Sequence, residues 1–313
     1  MKNKEPISFR PVFMERVWGG RELRRLFGKE LPGDNPIGES WEIVDRPEAV
    51  SAVEGGRFAG LTLHDLWVRH REQVFGTTLV GAKDSRFPLL IKLLDARDRL
   101  SVQVHPPAAI APSLGGEPKT EVWYFAACDE GAVIYAGLRR GVTRESFEQA
   151  LRDGAVEGCL HTIPVAAGDS IFIPSGRIHA IGAGNVIIEI QQNSDTTYRV
   201  FDWNRPGLDG KPRELHIEES LLCTDFLDIE PAADSLREGT IAECPYFHVE
   251  KLPLHGPLTI DDRSFVIIAV ASGVVDCGGQ HYCAGSLFLL PAEGSCATLE
   301  PAAEHTTVLR IHV

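Results

Sequence analysis

The amino-acid sequence predicts a mostly β protein, a β-sandwich or barrel interrupted by a few short helices. Three observations lead there. Thirty glycines and 20 prolines are spread through the 313 residues and end most apolar runs early. The runs themselves are short and β-branched, as at 170–174, 185–191, 264–271, 286–291 and 306–313. Closely spaced short strands bounded by turn residues suit antiparallel sheets better than alternating βαβ units. Helical periodicity surfaces at only three places.

Taken in order, the first ten residues carry scattered charges and Pro6 but no apolar h-region, so no signal peptide is expected. Thr62 is set to cap a helix with Leu63, Leu66, Trp67 and His70 on one face. Residues 89–94 form an apolar strand interrupted by Lys92, and a lysine in such a run calls for an anionic partner. Thr143 caps a helix over 144–152, in which Phe147 and Leu151 are i,i+4 and Gly154 supplies the left-handed stop. Residues 214–222 are the third helical candidate. The polar, poorly periodic stretch 229–240 reads as a linker between a unit at 1–228 and a second at 241–313. Residues 168–174 resemble 285–291, each a glycine turn, a buried strand and a proline stop, which points to two copies of one β unit.

Composition narrows the function. There are 31 Lys+Arg against 44 Asp+Glu, a formal charge of −13. That sign disfavours sequence-independent contact with nucleic acid or anionic lipid. It also counts against an anionic small substrate, unless a local cluster of Lys and Arg overrides it. No apolar run reaches the ~18 residues that span a bilayer. Seven cysteines without a CxxC pair argue against a disulfide framework or thiolate zinc site and fit a reducing cytoplasm.

Four clusters carry chemistry. In Ser101-Val-Gln103-Val-His105-Pro106, strand alternation puts Gln103 and His105 on one face, either lining a cavity or facing water. In 119–125, Lys119, Glu121 and Trp123 share a face, as a surface ion pair or as a carboxylate ligand with a neighbouring lysine. Residues 168–182 contain G-x5-P-x-G-x2-H, an apolar strand, a Pro-Gly turn and then His179 facing inward. In 187–205, Glu189 and Gln191 alternate with isoleucines, followed by Asp195 and Arg199; so many polar groups beside buried positions need partners.

The pattern ending in His179 resembles the second signature of the cupin superfamily, small β-barrels that hold a metal on inward His and Glu side chains. Gln103, His105, Glu121 and His179 then make a four-ligand nitrogen and oxygen set. Such a set suits Zn²⁺, with Fe²⁺, Mn²⁺ and Co²⁺ as alternatives.

Taken together, residues 36–43, 92–106, 119–123, 174–182 and 189–202 resemble the type I mannose-6-phosphate isomerase family in its short bacterial form. The resemblance implies a double-cupin scaffold with one zinc per chain and interconversion of mannose 6-phosphate and fructose 6-phosphate through a cis-enediol. It implies that Gln103, His105, Glu121 and His179 bind zinc and that Arg199 is the active-site arginine. No histidine stands at the place in the C-terminal repeat that matches His179, so that half is expected to be metal-free. Lys119 is a proton shuttle if a nearby cation lowers its pKa, and Glu189 and Asp195 are the candidate bases. Ser101 and Lys92 are the candidates for holding phosphate. A cupin oxygenase and a non-catalytic sugar-phosphate binder are the alternatives, and the oligomeric state is left open.

Overall fold

Alternation along single strands decides how the sheets of this protein stack. The computed structural model describes residues 3–77, 85–235 and 238–313; residues 236 and 237 of the expected linker lie outside them. The first part of the chain contains β1 (Ile7–Arg10), β2 (Val12–Gly20), β3 (Ile37–Ile43), β4 (Ala52–Val53), β5 (Leu89–Ala96), β6 (Val102–Val104) and β7 (Glu121–Cys128). It continues with β8 (Val133–Leu138), β9 (Leu160–Pro164), β10 (Ser170–Ile173), β11 (His179–Ile181), β12 (Asn185–Gln192) and β13 (Tyr198–Phe201). The remainder holds β14 (Gly239–Glu243), β15 (His248–Pro253), β16 (Leu258–Ile260), β17 (Val266–Ser272) and β18 (Val274–Cys277). Last come β19 (Gln280–Cys283), β20 (Leu287–Leu290), β21 (Ala297–Pro301) and β22 (Thr307–His312). The helices are α1 (Glu22–Phe27), α2 (Leu63–Arg69), α3 (Arg71–Phe75), α4 (Arg144–Asp153) and α5 (Ile217–Cys223).

Among the described residues four sheets form, in the orders β13-β6-β11-β8-β9, β10-β7-β12-β5-β3-β2, β14-β15-β22-β17-β20-β1-β4 and β16-β21-β18-β19. They stack in that sequence as layers. Every residue of β5 is buried, because the strand is covered on both faces. Leu89, Ile91 and Leu93 point to the core shared with Ile267, Ala269, Leu289 and Leu309 of the seven-stranded sheet. Leu94 points the other way, to the core shared with Ile134, Ala136 and Ile181 of the five-stranded sheet. A third core, with Ile268, Phe288 and Leu299, lies between the seven- and four-stranded sheets. The fold is therefore mostly β, as the turn-punctuated runs predict. No helix is long and apolar enough to cross a membrane among the described residues.

The expected helix starts hold at the caps. Thr62 and Thr143 each accept the N3 backbone N–H, in reciprocal capping boxes with Asp65 and Ser146, and Gly154 ends α4 at φ +67°. The third helix begins at Ile217 rather than 214, because the Glu214 carbonyl and the His216 N–H are already bonded to Arg199. α4 and α5 close the outer face of the five-stranded sheet. The N-terminal strand β1 does not stay with the unit at 1–228: it pairs with β20, so the seven-stranded sheet draws on both ends of the chain.

The repeat signalled by 168–174 and 285–291 extends into three dimensions. β10-β7-β12-β5-β3 and β20-β17-β22-β15-β14 have the same strand order. One cross-strand row runs Ile171–Trp123–Glu189–Lys92 in the first. Its counterpart runs Phe288–Ile268–Arg310–Glu250 in the second.

Candidate metal centre and active-site cavity

Three segments converge at one end of the first sandwich. Gln103 lies in β6, His105 directly follows that strand, Glu121 opens β7, and His179 opens β11 with Gln103 as its paired neighbour. The turn before His179 depends on Gly176, whose φ of +93° belongs to the left-handed region that favours glycine. His105, Glu121 and His179 are almost wholly buried, and their ligand atoms lie within 4.8 Å of one another.

Hydrogen bonds outside the cluster settle how the imidazoles face it. His105 Nδ1 lies 2.9 Å from the Thr196 carbonyl and His179 Nδ1 lies 2.9 Å from the Arg177 carbonyl. A carbonyl can only accept, so each ring carries its proton on Nδ1 and aims the Nε2 lone pair inward. The Nε2 atoms stand 3.7 and 3.6 Å from the two Glu121 oxygens. Arg177 is itself held by two bonds to Asp228, at 2.7 and 2.8 Å, which fixes the turn that presents His179.

These residues fit a metal ion. Glu121 Oε1 accepts no hydrogen bond and Oε2 meets only Lys119 Nζ, at 2.7 Å, an unusual state for a fully buried carboxylate. Two imidazole lone pairs and one carboxylate are a common first-row donor set. Donors bound at about 2.0–2.2 Å in tetrahedral array stand roughly 3.4 Å apart, close to the separations found. Burial, followed by the neighbouring His105, pushes His179 down to about 3; burial and Lys119 also lower His105. Both are neutral, as ligands must be. The Gln103 amide reaches the same point, with Nε2 3.3 Å from His179 Nε2. A half-turn of the amide would present its oxygen instead.

Above the cluster lies a cavity of about 500 Å³, lined by Lys92, Ser101, Gln103, Lys119, Glu189, Asp195 and Arg199 among others. The structure thus gathers the sequence-predicted residues at one place, three at the base and seven on the walls. Lys119 Nζ is 2.7 Å from Glu121 Oε2 and 3.6 Å from Glu189 Oε1. Burial opposes its charge, but Glu121 and Glu189 outweigh that and raise its pKa, so the condition set for a proton shuttle at Lys119 is not met. Glu121 is held well below the carboxylate range because Lys119 overcomes its burial. Glu189 goes the other way: burial and the nearby Glu121 charge raise it to about 7, against the pull of Lys119 and Lys92.

Lys92 does find anionic partners. Its Nζ is 3.6 Å from Asp195, 3.8 Å from Glu189 and 3.9 Å from Glu39, and it lies over the Trp41 ring at 4.9 Å. A phosphate arriving there would meet three carboxylates. Arg199 pairs in register with Gln103; its Nε is 3.3 Å from Ser101 Oγ and its Nη1 donates to the Glu214 carbonyl.

Sequence reading missed Glu39 and Arg16. Arg16 grips Glu39 with two bonds, at 3.1 and 3.0 Å, and Trp41 Nε1 donates to it at 2.6 Å. Lys92 and Arg16 overcome its burial and hold Glu39 down at about 2. The signal for Glu39 was present in the stretch 36–43, but only the β3–β5 pairing brings it to Lys92. The wall's charge is balanced: Arg16, Lys92, Lys119, Arg199 and Arg213 face Glu15, Glu39, Glu189, Asp195 and Asp209. Glu39, Glu189 and Asp195 gather round Lys92, while Arg199 stands beside Ser101.

Comparison with known proteins agrees with this geometry. Residues 7–145 match the family described as phosphomannose isomerase type I, catalytic domain. A mannose-6-phosphate isomerase of Streptococcus mutans is 39% identical over 280 residues, 86% of this chain and 85% of that protein. A probable mannose-6-phosphate isomerase of Bacillus subtilis, GmuF, is 37% identical over 96% of this chain and 97% of its own. The crystal structure of the mannose 6-phosphate isomerase from Bacillus subtilis superposes with a TM-score of 0.87 at 34% identity, covering 99% of this chain and 100% of that one. A mannose 6-phosphate isomerase crystallised with zinc and yttrium shares the fold, with a TM-score of 0.72 at 16% identity over 98% of this chain and 99% of that one.

Proposed function

The chain belongs to the type I phosphomannose isomerase family and is a mannose-6-phosphate isomerase; from that premise we propose how its own residues divide the work. The observation that carries the proposal is the buried His105–Glu121–His179 cluster opening onto a cavity that also holds Glu189, Lys119 and Arg199.

His105, Glu121, His179 and Gln103 would hold one divalent ion, zinc by the chemistry of the set. When bound, zinc supplies a Lewis acid and template for the sugar oxygens. The zinc in the distant relative's crystal supports the same choice.

Conversion of the aldose to the ketose moves a proton from C2 to C1, with an enediol between. Glu189 is the stronger base candidate: it is buried, raised to about 7, and its Oε1 accepts no hydrogen bond. A base with a pKa near the working pH combines availability with proton affinity. It would take the C2 proton and return it to C1. Asp195, half in solvent beside Lys92, would help place the sugar. Lys119, kept cationic by Glu121 and Glu189, would donate hydrogen bonds to a sugar hydroxyl oxygen and hold it in place rather than relay its proton. Arg199 would face the enediolate charge, since a guanidinium stays protonated where an amine could lose its proton.

For the phosphate we assign the Ser101 end, where Arg199 supplies N–H donors, and give Lys92 the task of holding Glu189, Glu39 and Asp195 together. The test is direct. Fructose 6-phosphate formation from mannose 6-phosphate, coupled to a reporter, should be present with zinc and vanish with chelator. A zinc-loaded chain that shows no turnover would overturn the assignment.

A further inference from the structure

The second sandwich repeats the first in strand order and register, yet its chemistry differs. In the row that carries Glu189 opposite Lys92, it has Arg310 opposite Glu250, the same ion pair with its signs exchanged. Two residues before Ile268, where Glu121 precedes Trp123 in the first copy, stands fully buried Val266. The second sandwich therefore holds no copy of the first metal centre, in line with the missing counterpart of His179.

One step along the same two strands the picture changes. The first copy pairs Gln191 with Leu90, whereas the second pairs His312 with His248. Strand alternation puts His248, Glu250, Arg310 and His312 on one face. His248 Nε2 stands 4.0 Å from Glu250 Oε1, and His312 Nε2 stands 3.9 Å from Glu250 Oε2. The corresponding separations at the buried centre are 3.7 and 3.6 Å. A second, looser His-Glu-His group, whose His248 Nε2 also lies 3.5 Å from Thr240 Oγ1, thus sits on the adjacent strands β15 and β22.

Two features weigh on its use. The ring centroids are 6.1 Å apart, against 4.8 Å for His105 and His179, so the imidazoles must close by about 1 Å, which side-chain rotation can supply. Arg310 also lies beside Glu250, at 3.3 Å, but its shorter contacts, 2.8 and 2.7 Å, go to Asp262. Glu250 and Asp262 outnumber Arg310 by one formal charge, which favours a cation. All three ligand side chains are only partly buried, within reach of solvent ions.

We propose that His248, Glu250 and His312 form a second divalent-cation site of the zinc class, separate from the isomerase reaction, in which water completes the coordination. Imidazole and carboxylate donors select Zn²⁺, Co²⁺ or Ni²⁺ over Mg²⁺ or Ca²⁺. A bound ion would clip the last strand, β22, to β15.

The experiment is metal counting on the untagged full chain by equilibrium dialysis against Zn²⁺ near pH 7.5, followed by elemental analysis. Two ions per chain are expected for the wild type. One is expected for His312→Ala and for Glu250→Gln, both with isomerase turnover unchanged. His105→Ala should lose the other ion and turnover but keep this one. The second equivalent of zinc should raise the thermal midpoint of the wild type and leave that of His312→Ala unmoved. A wild type that saturates at one ion overturns the proposal, as do both variants still binding two.

Discussion

Lys119 Nζ and Glu189 Oε1 stand 3.6 Å apart in a buried site, yet no hydrogen bond closes between them. The lysine is engaged at 2.7 Å by Glu121 instead. This leaves Glu189 with one oxygen uncommitted at the cavity wall, and the first prediction rests on it.

Turnover as kcat/KM should rise with pH along an acid limb that reports Glu189. The limb's midpoint lies no higher than about 7, because a bound cation can only lower the value that burial and Glu121 have raised. Glu189→Gln should reduce kcat by about 10²–10⁴ and erase the limb, with metal content unchanged. Full turnover in that variant would move the base elsewhere, with Asp195 first in line.

Arg199 touches Ser101 and a backbone carbonyl and none of the proposed metal ligands at its guanidinium. Arg199→Ala should therefore keep its zinc while turnover falls by about 10²–10³, the usual cost of one preorganised donor. Loss of metal in this variant would make the arginine a structural residue.

Glu121→Gln should lower zinc affinity severely and destabilise the metal-free protein by about 3 kcal/mol, because the buried Lys119 loses its nearest counter-charge. Denaturant unfolding in chelator measures the second effect. Equal stability of variant and wild type would show that Glu189 alone suffices to hold Lys119.

Asp95 offers a test away from the site. Its Oδ2 accepts the Glu22 N–H at 2.6 Å while Oδ1 is buried without a partner, and burial raises its pKa to about 6 from 3.8. The folded state thus holds this proton more tightly than the unfolded chain. The favourable contribution is full below about pH 4 and is lost as pH rises to about 6. Asp95→Asn should be the more stable protein at pH 8, by about 1–2 kcal/mol once solvent screening is allowed for, and nearly equal at pH 4. A constant difference between pH 4 and 8 would rule this out.

Much of the site was legible because strand alternation is local. Two-residue spacing was enough to put Gln103 with His105 and Lys119 with Glu121, and the Pro-Gly turn was enough to bring His179 inward. The capping threonines at 62 and 143 were legible for the same reason: a cap bonds only three residues away. Lys92 shows the limit. An apolar strand announced that it needed an anion, but three carboxylates from β3, β12 and the loop after β12 answer it. The start of α5 was missed because Arg199, some 15 residues earlier, captures the backbone ahead of it.

By itself, then, the sequence determined the mostly β class, the helix caps, the repeated glycine–strand–proline unit, and which side chains share a face. Each of those follows from backbone geometry within a few residues. The tertiary structure decided what depends on register between distant strands. It seats Glu39 beside Lys92, and it turns the His105 and His179 lone pairs inward through the Thr196 and Arg177 carbonyls. It brings Glu189 and Asp195 to that same lysine, and it sets His248 across from His312. Charge and coordination act over a few ångströms of space, whatever the distance along the chain, so the net −13 could not foretell any of these local fields.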